Sequence, residues 1–237
     1  AGVHVRASES LWPDLNLHLG PLGSRAQSAA AFPGIFMRNN AELRRLRRTL
    51  RRQRRGLSPE FRATAAASAA AALARCAPPP PRHLGLYRPS DGEIDPAPLA
   101  AALRAGATRT YLPRISPFSQ RPQLRFGDPA SLAPGRYGIP SPNRGLRPAW
   151  TLSWVILPLV AFSDAGDRLG RGGGFYDSSF AAHWPHQPFL LGLAYAFQGC
   201  APWRRAPHDV RLDAVVTEAG VQCFSLRAQR LLEAARG

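Results

Sequence analysis

The sequence predicts a single three-layer α/β domain with a mostly parallel or mixed sheet flanked by helices and a basic N-terminal helix. Short β-like runs alternate with helical stretches along most of the chain, which is typical of a parallel sheet with helices on its faces. The length of 237 residues fits one domain with an appendage, and 45% apolar residues are enough for a core. The longest apolar run, 154–162, is too short to span a bilayer, so a soluble protein is expected.

Residues 1–36 are expected to be a non-functional or disordered leader, followed by the functional domain at 37–237. Met37 is the only methionine and a candidate translation start. The leader is net neutral, with two arginines and two acidic residues, and no continuous apolar run follows a basic stretch, so no export signal is expected. The alternative is an ordinary N-terminal arm packed on the domain surface.

Cysteine usage and charge limit the possible compartments and partners. The three cysteines are far apart and odd in number, which indicates neither a disulfide framework nor a zinc site and favours a reducing cytoplasm. All 31 basic residues are arginine, and alanine, proline and glycine are abundant. This composition indicates the codon bias of a GC-rich genome, so the net charge of +16 is weak evidence for nucleic-acid binding.

Two helices are predicted at the start of the domain. Residues 38–62 contain ten arginines and two acidic residues, with a leucine stripe at helical spacing that gives the basic helix one narrow apolar face: Leu43, Leu46, Leu50 and Leu57. The segment 58–60 (Ser-Pro-Glu) predicts an N-cap, a first-turn proline and a favourable acid, which open an alanine-rich helix to Arg75. The prolines at 78–81 end it.

Five strands and three further helices are expected in alternation after these prolines. The strands are predicted at 83–87, 109–112, 153–162, 189–196 and 213–217, and the helices at 98–104, 175–184 and 225–235. The Pro- and Gly-rich segment 116–148 is long for a loop and is predicted to contain a hairpin or a flap.

The glycine-rich segment after the strand 153–162 carries the clearest indication of function. Gly170 and Gly172–Gly174 precede a predicted helix and can direct backbone N–H groups at an anion, while Arg168 and Arg171 can clamp phosphate oxygens. The segment is not a P-loop, because no Lys-Ser/Thr pair follows the glycines. It is not a dinucleotide fingerprint, because Gly170 lies eight residues beyond the strand end. Glycines alone would leave a flexible turn as the alternative.

Two segments stand in the order and spacing of a known family signature: 157–162 (Leu-Pro-Leu-Val-Ala-Phe) and 168–177 (Arg-Leu-Gly-Arg-Gly-Gly-Gly-Phe-Tyr-Asp). Shorter matching segments extend over nearly all of the chain from Met37 to Glu218: 46–47, 55–58, 92–95, 112–114, 137–140, 193–195 with 198, 207–209, 212–213 and 217–218. On these residues the chain resembles the 5-formyltetrahydrofolate cyclo-ligases, also called methenyltetrahydrofolate synthetases.

The resemblance implies an ATP- and Mg²⁺-dependent enzyme that converts 5-formyltetrahydrofolate (folinic acid) to 5,10-methenyltetrahydrofolate with release of ADP and phosphate. It implies that the formyl oxygen attacks the γ-phosphorus and that N10 then closes the ring. The protein would align the reactants and neutralise developing charge. Residues 37–237 would form the catalytic domain. We expect a cytoplasmic monomer that acts on small molecules, with neither nucleic acid nor membrane as a partner.

The resemblance also implies roles for individual residues. ATP would be bound by two arginines of the basic helix and by the loop: Arg44, Arg47, Arg168, Leu169, Gly170, Arg171, Gly172, Gly173, Gly174, Phe175 and Tyr176. Folate would contact Arg88 and Glu93 together with part of the same loop: Arg171, Gly172, Gly173, Gly174 and Phe175. Arg171 would be the catalytic residue. Asp177 and Asp213 would be the Mg²⁺ ligands, an oxygen-only set that suits a hard cation.

Several of these residues also have a plainer interpretation. Asp177 could be an acid favoured by the first turn of a helix, Glu93 an exposed turn residue, and the arginine helix a solvated charged surface. The chain departs from the family pattern at two positions. Leu43 stands where a lysine is frequent, and Ser141 stands where an acid is common.

Two other functions remain open at this stage. The arginine helix could bind nucleic acid, although no recognised nucleic-acid-reading motif and no interleaved aromatic residues accompany its charge. The chain could also be another enzyme that acts on ATP or a sugar phosphate, because an α/β fold does not fix the chemistry.

Overall fold

The computed structural model describes residues 40–104, 106–116, 123–180, 187–203, 206 and 209–232. The expected leader and Met37 lie outside the described residues. The helices are α1 (Asn40–Arg55), α2 (Pro59–Ala74), α3 (Ala97–Leu103), α4 (Phe175–Phe180) and α5 (Leu226–Leu232). The strands are β1 (His83–Gly85), β2 (Arg109–Ile115), β3 (Leu124–Gly127), β4 (Leu132–Ala133), β5 (Ser141–Pro142), β6 (Arg147–Pro148), β7 (Trp154–Pro158), β8 (Ala161–Ser163), β9 (Arg168–Leu169), β10 (Phe189–Leu193), β11 (Gly199–Cys200), β12 (Ala214–Thr217) and β13 (Gly220–Cys223).

A mixed sheet organises the domain, in the order β13-β12-β10-β7-β1-β2-β3-β6. The central strands from β12 to β2 are parallel, and antiparallel strands close both edges. Numbered in chain order, the five parallel strands follow 2-1-3-4-5, so the progress of the chain across the sheet reverses between β1 and β7. Open α/β sheets bind ligands at the carboxyl ends of the strands beside such a reversal. The topology therefore directs attention to the segments that follow β1 and β7.

The two faces of the sheet bury separate cores, which confirms the predicted three-layer α/β fold. Along β7, Trp154 and Ile156 join the core under α2, α3 and α5, whereas Val155 and Leu157 join the core on the α4 side. This alternation follows from the two-residue period of a strand. No helix of the described chain is both long and apolar enough to cross a membrane.

The predicted strand 153–162 is divided in the structure. β7 ends at Pro158, and the chain resumes as β8 in a second, three-stranded sheet with β9 and β11. Two residues make the transition: the N–H of Val160 donates to the carbonyl of Leu169 at 2.7 Å, and the carbonyl of Leu159 accepts from side chains instead of from a strand. Pro158, which has no N–H to donate to a ladder, is the one sequence sign of this break, since apolar residues continue on both sides of it.

Helix α1 packs on the second sheet with a narrow apolar face, as predicted. Leu43 and Leu50 are buried in a small core with Val160, Ala161 and their neighbours. Leu43, at the position where the family often has lysine, is thus a packing residue. Ser141, at the second departure, is buried in β5.

The predicted hairpin within 116–148 is confirmed by the antiparallel pair β4–β5, beside the antiparallel pair β3–β6. Residues 117–122 of this segment lie outside the described residues, and so do residues 181–184 of the helix predicted at 175–184.

Helix α2 begins as the sequence predicts and packs closely on the sheet through alanine. The Ser58 hydroxyl accepts from the N–H of Phe61 at 3.2 Å, which makes Ser58 the N-cap. Ala65 and Ala69 are 2% and 0% exposed. Small side chains on this face let the helix approach the sheet, and a larger side chain has no space there.

We expect Ala69→Leu to lower the free energy of unfolding by about 1–3 kcal/mol, because three added carbons must displace packed neighbours. Ala67 lies on the exposed face of the same helix, so Ala67→Leu should change stability by less than about 0.5 kcal/mol. Urea unfolding of both variants checks the prediction. Equal stability of the two would show that α2 does not pack as described.

Candidate active site

The glycine loop, residues 170–174, joins β9 to α4. Gly172 and Gly174 have φ angles of 103° and 64°, which L side chains rarely adopt. A Cβ added at Gly172 would meet nothing within 4 Å, so the loop presents open backbone to its surroundings. The loop therefore has both the conformation and the exposure that close approach of a ligand to the backbone requires.

Helix α1 supplies the cations beside this loop. The Nε of Arg47 donates to the carbonyl of Gly170 at 2.8 Å. Burial lowers the pKa of Arg47, and the positive charges of Arg168 and Arg44 lower it further, against the opposing effect of Asp209. The structure thus brings Arg44 and Arg168 close enough to Arg47 to repel its charge, and a bound anion would relieve that repulsion.

Arg168 and Asp177 hold the two ends of the loop together. The Nη2 of Arg168 lies 2.9 Å and 3.0 Å from the two carboxylate oxygens of Asp177. The same guanidinium lies against the ring of Tyr176 and donates to the carbonyl of Pro158 at 3.4 Å, the last residue of β7. Both predicted residues lie at the loop, but in a mutual ion pair.

The other members of the predicted ATP set differ in exposure. Leu169 is buried in the core under α1, so only its backbone faces the loop. Phe175 is partly buried, packs against Gly173, and lies 6.4 Å between ring centroids from the exposed Tyr137. Phe175 therefore has an aromatic neighbour that the sequence did not single out.

The turn at 90–93 follows β1 and faces the glycine loop. Asp91 and Gly92 have φ angles of 57° and 72°, and a Cβ at Gly92 would lie 2.7 Å from the carbonyl oxygen of Arg54. The Glu93 carboxylate accepts from the N–H of Ser90 at 3.1 Å. This tight turn, called the acidic turn below, fixes Glu93 pointing inward.

Arg171 joins the glycine loop to the acidic turn. Its Nη2 donates to the carbonyl and the hydroxyl of Ser90 at 2.9 Å and 2.8 Å and lies 3.2 Å from Glu93 Oε1. The predicted residues Arg171 and Glu93 are therefore in direct contact. Arg88 is exposed on the segment between β1 and the acidic turn.

Glu93 is a buried carboxylate between cations and phenols. Its side chain is only 7% exposed. Burial raises the pKa of Glu93, while Arg171 and Arg54 oppose that rise. Burial also raises the pKa values of Tyr87 and Tyr176, and the charge of Glu93 adds to both shifts. The proximity of these phenols marks Glu93 as an interior group and excludes the plain interpretation of an exposed turn residue.

The sequence did not single out the residues that hold the acidic turn. Asp91 pairs with three arginines of α1: Arg51 at 2.7 Å, Arg54 at 3.0 Å and Arg55 at 3.0 Å. Asp-Gly at 91–92 is a turn signal that could have drawn attention to Asp91. Nothing in the sequence distinguishes the buried Arg54 from its exposed neighbours, except its position four residues after Leu50.

The structure does not bring Asp213 to the loop, contrary to the predicted pair of metal ligands. Asp213 lies at the amino end of β12, where it pairs with Arg227 and accepts from the N–H of Leu190 at 2.8 Å. Asp177 is held instead near Pro158, at the carboxyl end of β7. Along the strand direction, the level of Asp213 and the level of Pro158 are three residues apart, or roughly 10 Å. In this arrangement Asp213 is held by Arg227 and Leu190 while Asp177 lies at the loop, so the binding of one ion by both carboxylates stays a prediction.

Within the described part of the chain, no three His, Cys, Asp or Glu side chains are grouped to hold a metal ion. Asp177 is the predicted ligand that lies at the loop, and its side chain is 15% exposed. A single carboxylate does not suit a cage built only of protein ligands. It does suit Mg²⁺ that is bound largely through the phosphates of a nucleotide.

Comparison with known proteins gives one consistent family. The model of the 5-formyltetrahydrofolate cyclo-ligase family matches residues 39–218. The 5-formyltetrahydrofolate cyclo-ligase of Escherichia coli K12 is 34% identical over 181 residues, which cover 73% of this chain and 98% of that protein. The enzyme of the same name from Saccharomyces cerevisiae is 27% identical over 162 residues, covering 59% and 77% of the two chains.

Solved structures agree with the fold. The 5,10-methenyltetrahydrofolate synthetase of Aquifex aeolicus superimposes with a TM-score of 0.61 at 27% identity and covers 77% of this chain and 92% of its own. The synthetase from Mycoplasma pneumoniae gives a TM-score of 0.57 at 21% identity, with 75% and 99% covered. The second likeness supports the fold alone.

The position of Asp213 generates a prediction about stability. We expect Asp213→Asn to lower the free energy of unfolding by about 1–3 kcal/mol, because charge-assisted bonds to Arg227 are lost. Arg227→Gln should cost a similar amount, and the double variant should cost less than the sum of the two. Urea unfolding of the three variants measures this coupling. Full additivity would show that the ion pair does not hold this end of β12.

Proposed function

The chain belongs to the 5-formyltetrahydrofolate cyclo-ligase family, and we propose that it closes the ring of 5-formyltetrahydrofolate, with ATP hydrolysis, between the glycine loop and the acidic turn. The observation that carries the proposal is the contact of Arg171 with Glu93 at 3.2 Å. One guanidinium thus lies between the turn proposed to anchor the folate and the loop proposed to hold the triphosphate.

The reaction consists of two displacements. The formyl oxygen of the folate attacks the γ-phosphorus of ATP, and the bond from that phosphorus to its bridging oxygen breaks, so ADP leaves. N10 of the folate then attacks the formyl carbon and loses its proton, the carbon–oxygen bond breaks, and inorganic phosphate leaves. No protein nucleophile takes part, so the chain acts by alignment and charge stabilisation.

Glu93 is the proposed anchor for the pterin ring. Its carboxylate accepts hydrogen bonds, and burial excludes water that would compete for them. Only the ionised form offers two free acceptor oxygens, and Arg171 and Arg54 favour that form. Arg88, on the same segment, is the second proposed folate contact.

Arg171 is the proposed catalytic residue. Its side chain is 38% exposed and is held by Ser90 and Glu93, so a pterin that takes over the Glu93 oxygens releases it. The freed guanidinium can then bind equatorial oxygens of the γ-phosphate, where negative charge develops. Gly172–Gly174 leave both substrates space to approach the backbone.

Arg44 and Arg47 are the proposed contacts to the remaining ATP phosphates, together with the loop backbone. Asp177 would be the protein ligand of a Mg²⁺ ion held mainly by the nucleotide, and such an ion would neutralise charge on the phosphates. Arg168 would keep Asp177 in place through their ion pair. Asp213 has no part in this proposal.

Location and partners follow from the same interpretation. We propose a monomer that acts on small molecules in the cytoplasm, since three widely spaced cysteines favour a reducing compartment. A nucleic-acid role for α1 is less well supported, because Arg47 and Arg54 already bond within the protein.

Substitutions in the acidic turn and in the glycine loop should change different kinetic constants. Glu93→Gln should raise the KM for folate and leave the KM for ATP nearly unchanged, whereas Arg171→Ala should lower kcat about a hundredfold. In the unaltered enzyme, the KM for folate should rise as pH falls through the raised pKa of Glu93, and Glu93→Gln should remove that rise. Steady-state kinetics with each substrate varied separately tests both. Normal constants in both folded variants would place the active site elsewhere.

The arginine helix provides a test of ATP binding against nucleic-acid binding. Arg47→Ala should raise the KM for ATP several-fold and leave the KM for folate unchanged. Arg45 is exposed on the same helix, so Arg45→Ala is the matched control and should change neither constant. Salt-sensitive, tight binding of RNA or duplex DNA that both substitutions weaken equally would support the nucleic-acid alternative instead.

A further inference from the structure

Arg54 is a charged residue on the apolar face of α1. Its side chain is 1% exposed, and it follows Leu50 by one helical turn on the face that packs against the domain. A guanidinium in such a place is unfavourable unless hydrogen bonds and opposite charges compensate for its lost hydration. Leucine or methionine would fill the same space without that penalty, so the contacts of the guanidinium need an explanation.

Those contacts join the carboxyl ends of two neighbouring strands. The Nε of Arg54 donates to the carbonyl of Asp91 at 2.9 Å, and its Nη2 donates to Asp91 Oδ2 at 3.0 Å. Its Nη1 donates to the carbonyl of Leu159 at 3.1 Å. Asp91 follows β1 and Leu159 follows β7, the two strands between which the sheet reverses its order. A single planar group therefore fixes the distance between these segments.

The same guanidinium reaches the proposed folate anchor. Nη2 of Arg54 lies 3.8 Å from Glu93 Oε1, the oxygen that Arg171 also approaches. The two arginines differ in freedom, because the side chain of Arg171 is 38% exposed and that of Arg54 is 1% exposed. A ligand can displace Arg171, whereas Arg54 is enclosed.

The acidic turn is also held from the opposite side. The hydroxyl of Tyr195 donates to the carbonyl of Gly92 at 3.3 Å, and the amide of Gln198 donates to the carbonyls of Leu159 and Val160, both at 2.9 Å. Gln198 thus shares the Leu159 carbonyl with Arg54. The turn keeps its place between α1 and the chain after β10, so loss of Arg54 alone need not unfold it.

We propose that Arg54 is a positioning residue for the folate site: it holds the acidic turn against the end of β7 and keeps a fixed positive charge beside Glu93 when the pterin displaces Arg171. This inference rests on the proposed function, because it assumes that folate binds at Glu93.

The charges around Glu93 give the inference a measurable consequence. The groups that face this carboxylate come from every side: Arg54 from α1, Arg171 from the glycine loop, Asp91 from the turn itself, Tyr87 after β1, Tyr176 from α4 and Tyr195 after β10. With Arg171 displaced, Arg54 is the nearest remaining cation among the described residues. Burial raises the pKa of Glu93, and Arg54 opposes that rise. Without Arg54, Glu93 therefore takes up a proton at a higher pH.

The experiment compares Arg54→Leu with the matched control Arg51→Leu. Arg51 lies on the same helix and pairs with the same Asp91, but its side chain is 36% exposed and, among the described residues, its ion pair is with Asp91 and not with Glu93. We expect Arg54→Leu to raise the Kd of 5-formyltetrahydrofolate, measured by titration without ATP, by about tenfold, because a buried charge-assisted contact is lost. The increase in Kd that follows protonation of Glu93 should also begin at a higher pH. Arg51→Leu removes one of the three Asp91 ion pairs but no charge beside Glu93, so it should raise the Kd less than Arg54→Leu does and leave the pH profile in place.

Combination with Glu93→Gln separates the possible failures. If Glu93→Gln alone does not weaken folate binding, the proposed function of this site is wrong. If it does, but Arg54→Leu weakens binding equally with glutamate or glutamine at 93 and leaves the pH profile in place, then Arg54 has only a structural role and the inference is overturned.

If Arg54→Leu does not fold, Arg54→Lys provides the test. An ammonium keeps the charge but cannot hold both strand ends, so the Kd should rise without a shift in the pH profile, and an unchanged Kd overturns the inference.

Discussion

A buried guanidinium bonds to the chain after β1 and to the chain after β7, and the geometry of the site follows from that junction. Because Arg54 belongs to α1, the junction also fixes the helix on the domain. Arg47 lies seven residues earlier, about two turns or 10 Å along the same face, and this spacing brings it to the carbonyl of Gly170. One helix thus determines the separation between the acidic turn and the glycine loop.

The balance of charge at this junction explains why the site suits an anionic substrate. The arginines of α1 and the loop outnumber Asp91, Glu93 and Asp177, and the carboxylates that are present already pair with arginine. A triphosphate would supply the negative charge that the protein lacks. A few ångströms away, the buried carboxylate of Glu93 favours a different kind of ligand, a neutral ring with N–H donors. Under the proposed function, two chemically different ligands would therefore be distinguished by position and by charge.

Much of this arrangement could be predicted from the sequence, and the remainder could not for physical reasons. Regular alternation predicted the parallel sheet, and glycine spacing predicted the loop. The break after Pro158 escaped prediction because the apolar residues continue through it while the chain changes sheets. Arg54 escaped because its burial depends on what α1 packs against, and an arginine-rich helix offers many identical candidates. For Asp213, sequence matching gives residue types in order but not which end of a strand they occupy, and the structure holds this residue at the amino end of β12.

The cations of the site share one chemical group, because the chain has no lysine. Reagents selective for the side-chain amine of lysine therefore have no target in this site. Dicarbonyl reagents, which condense with guanidinium groups, do have targets here. They react first with the arginines whose side chains are most exposed. Arg171, at 38%, lies open to such a reagent, whereas Arg54, at 1%, is shielded. Covalent labelling of the site through its arginines would therefore modify the exposed Arg171 before the buried Arg54.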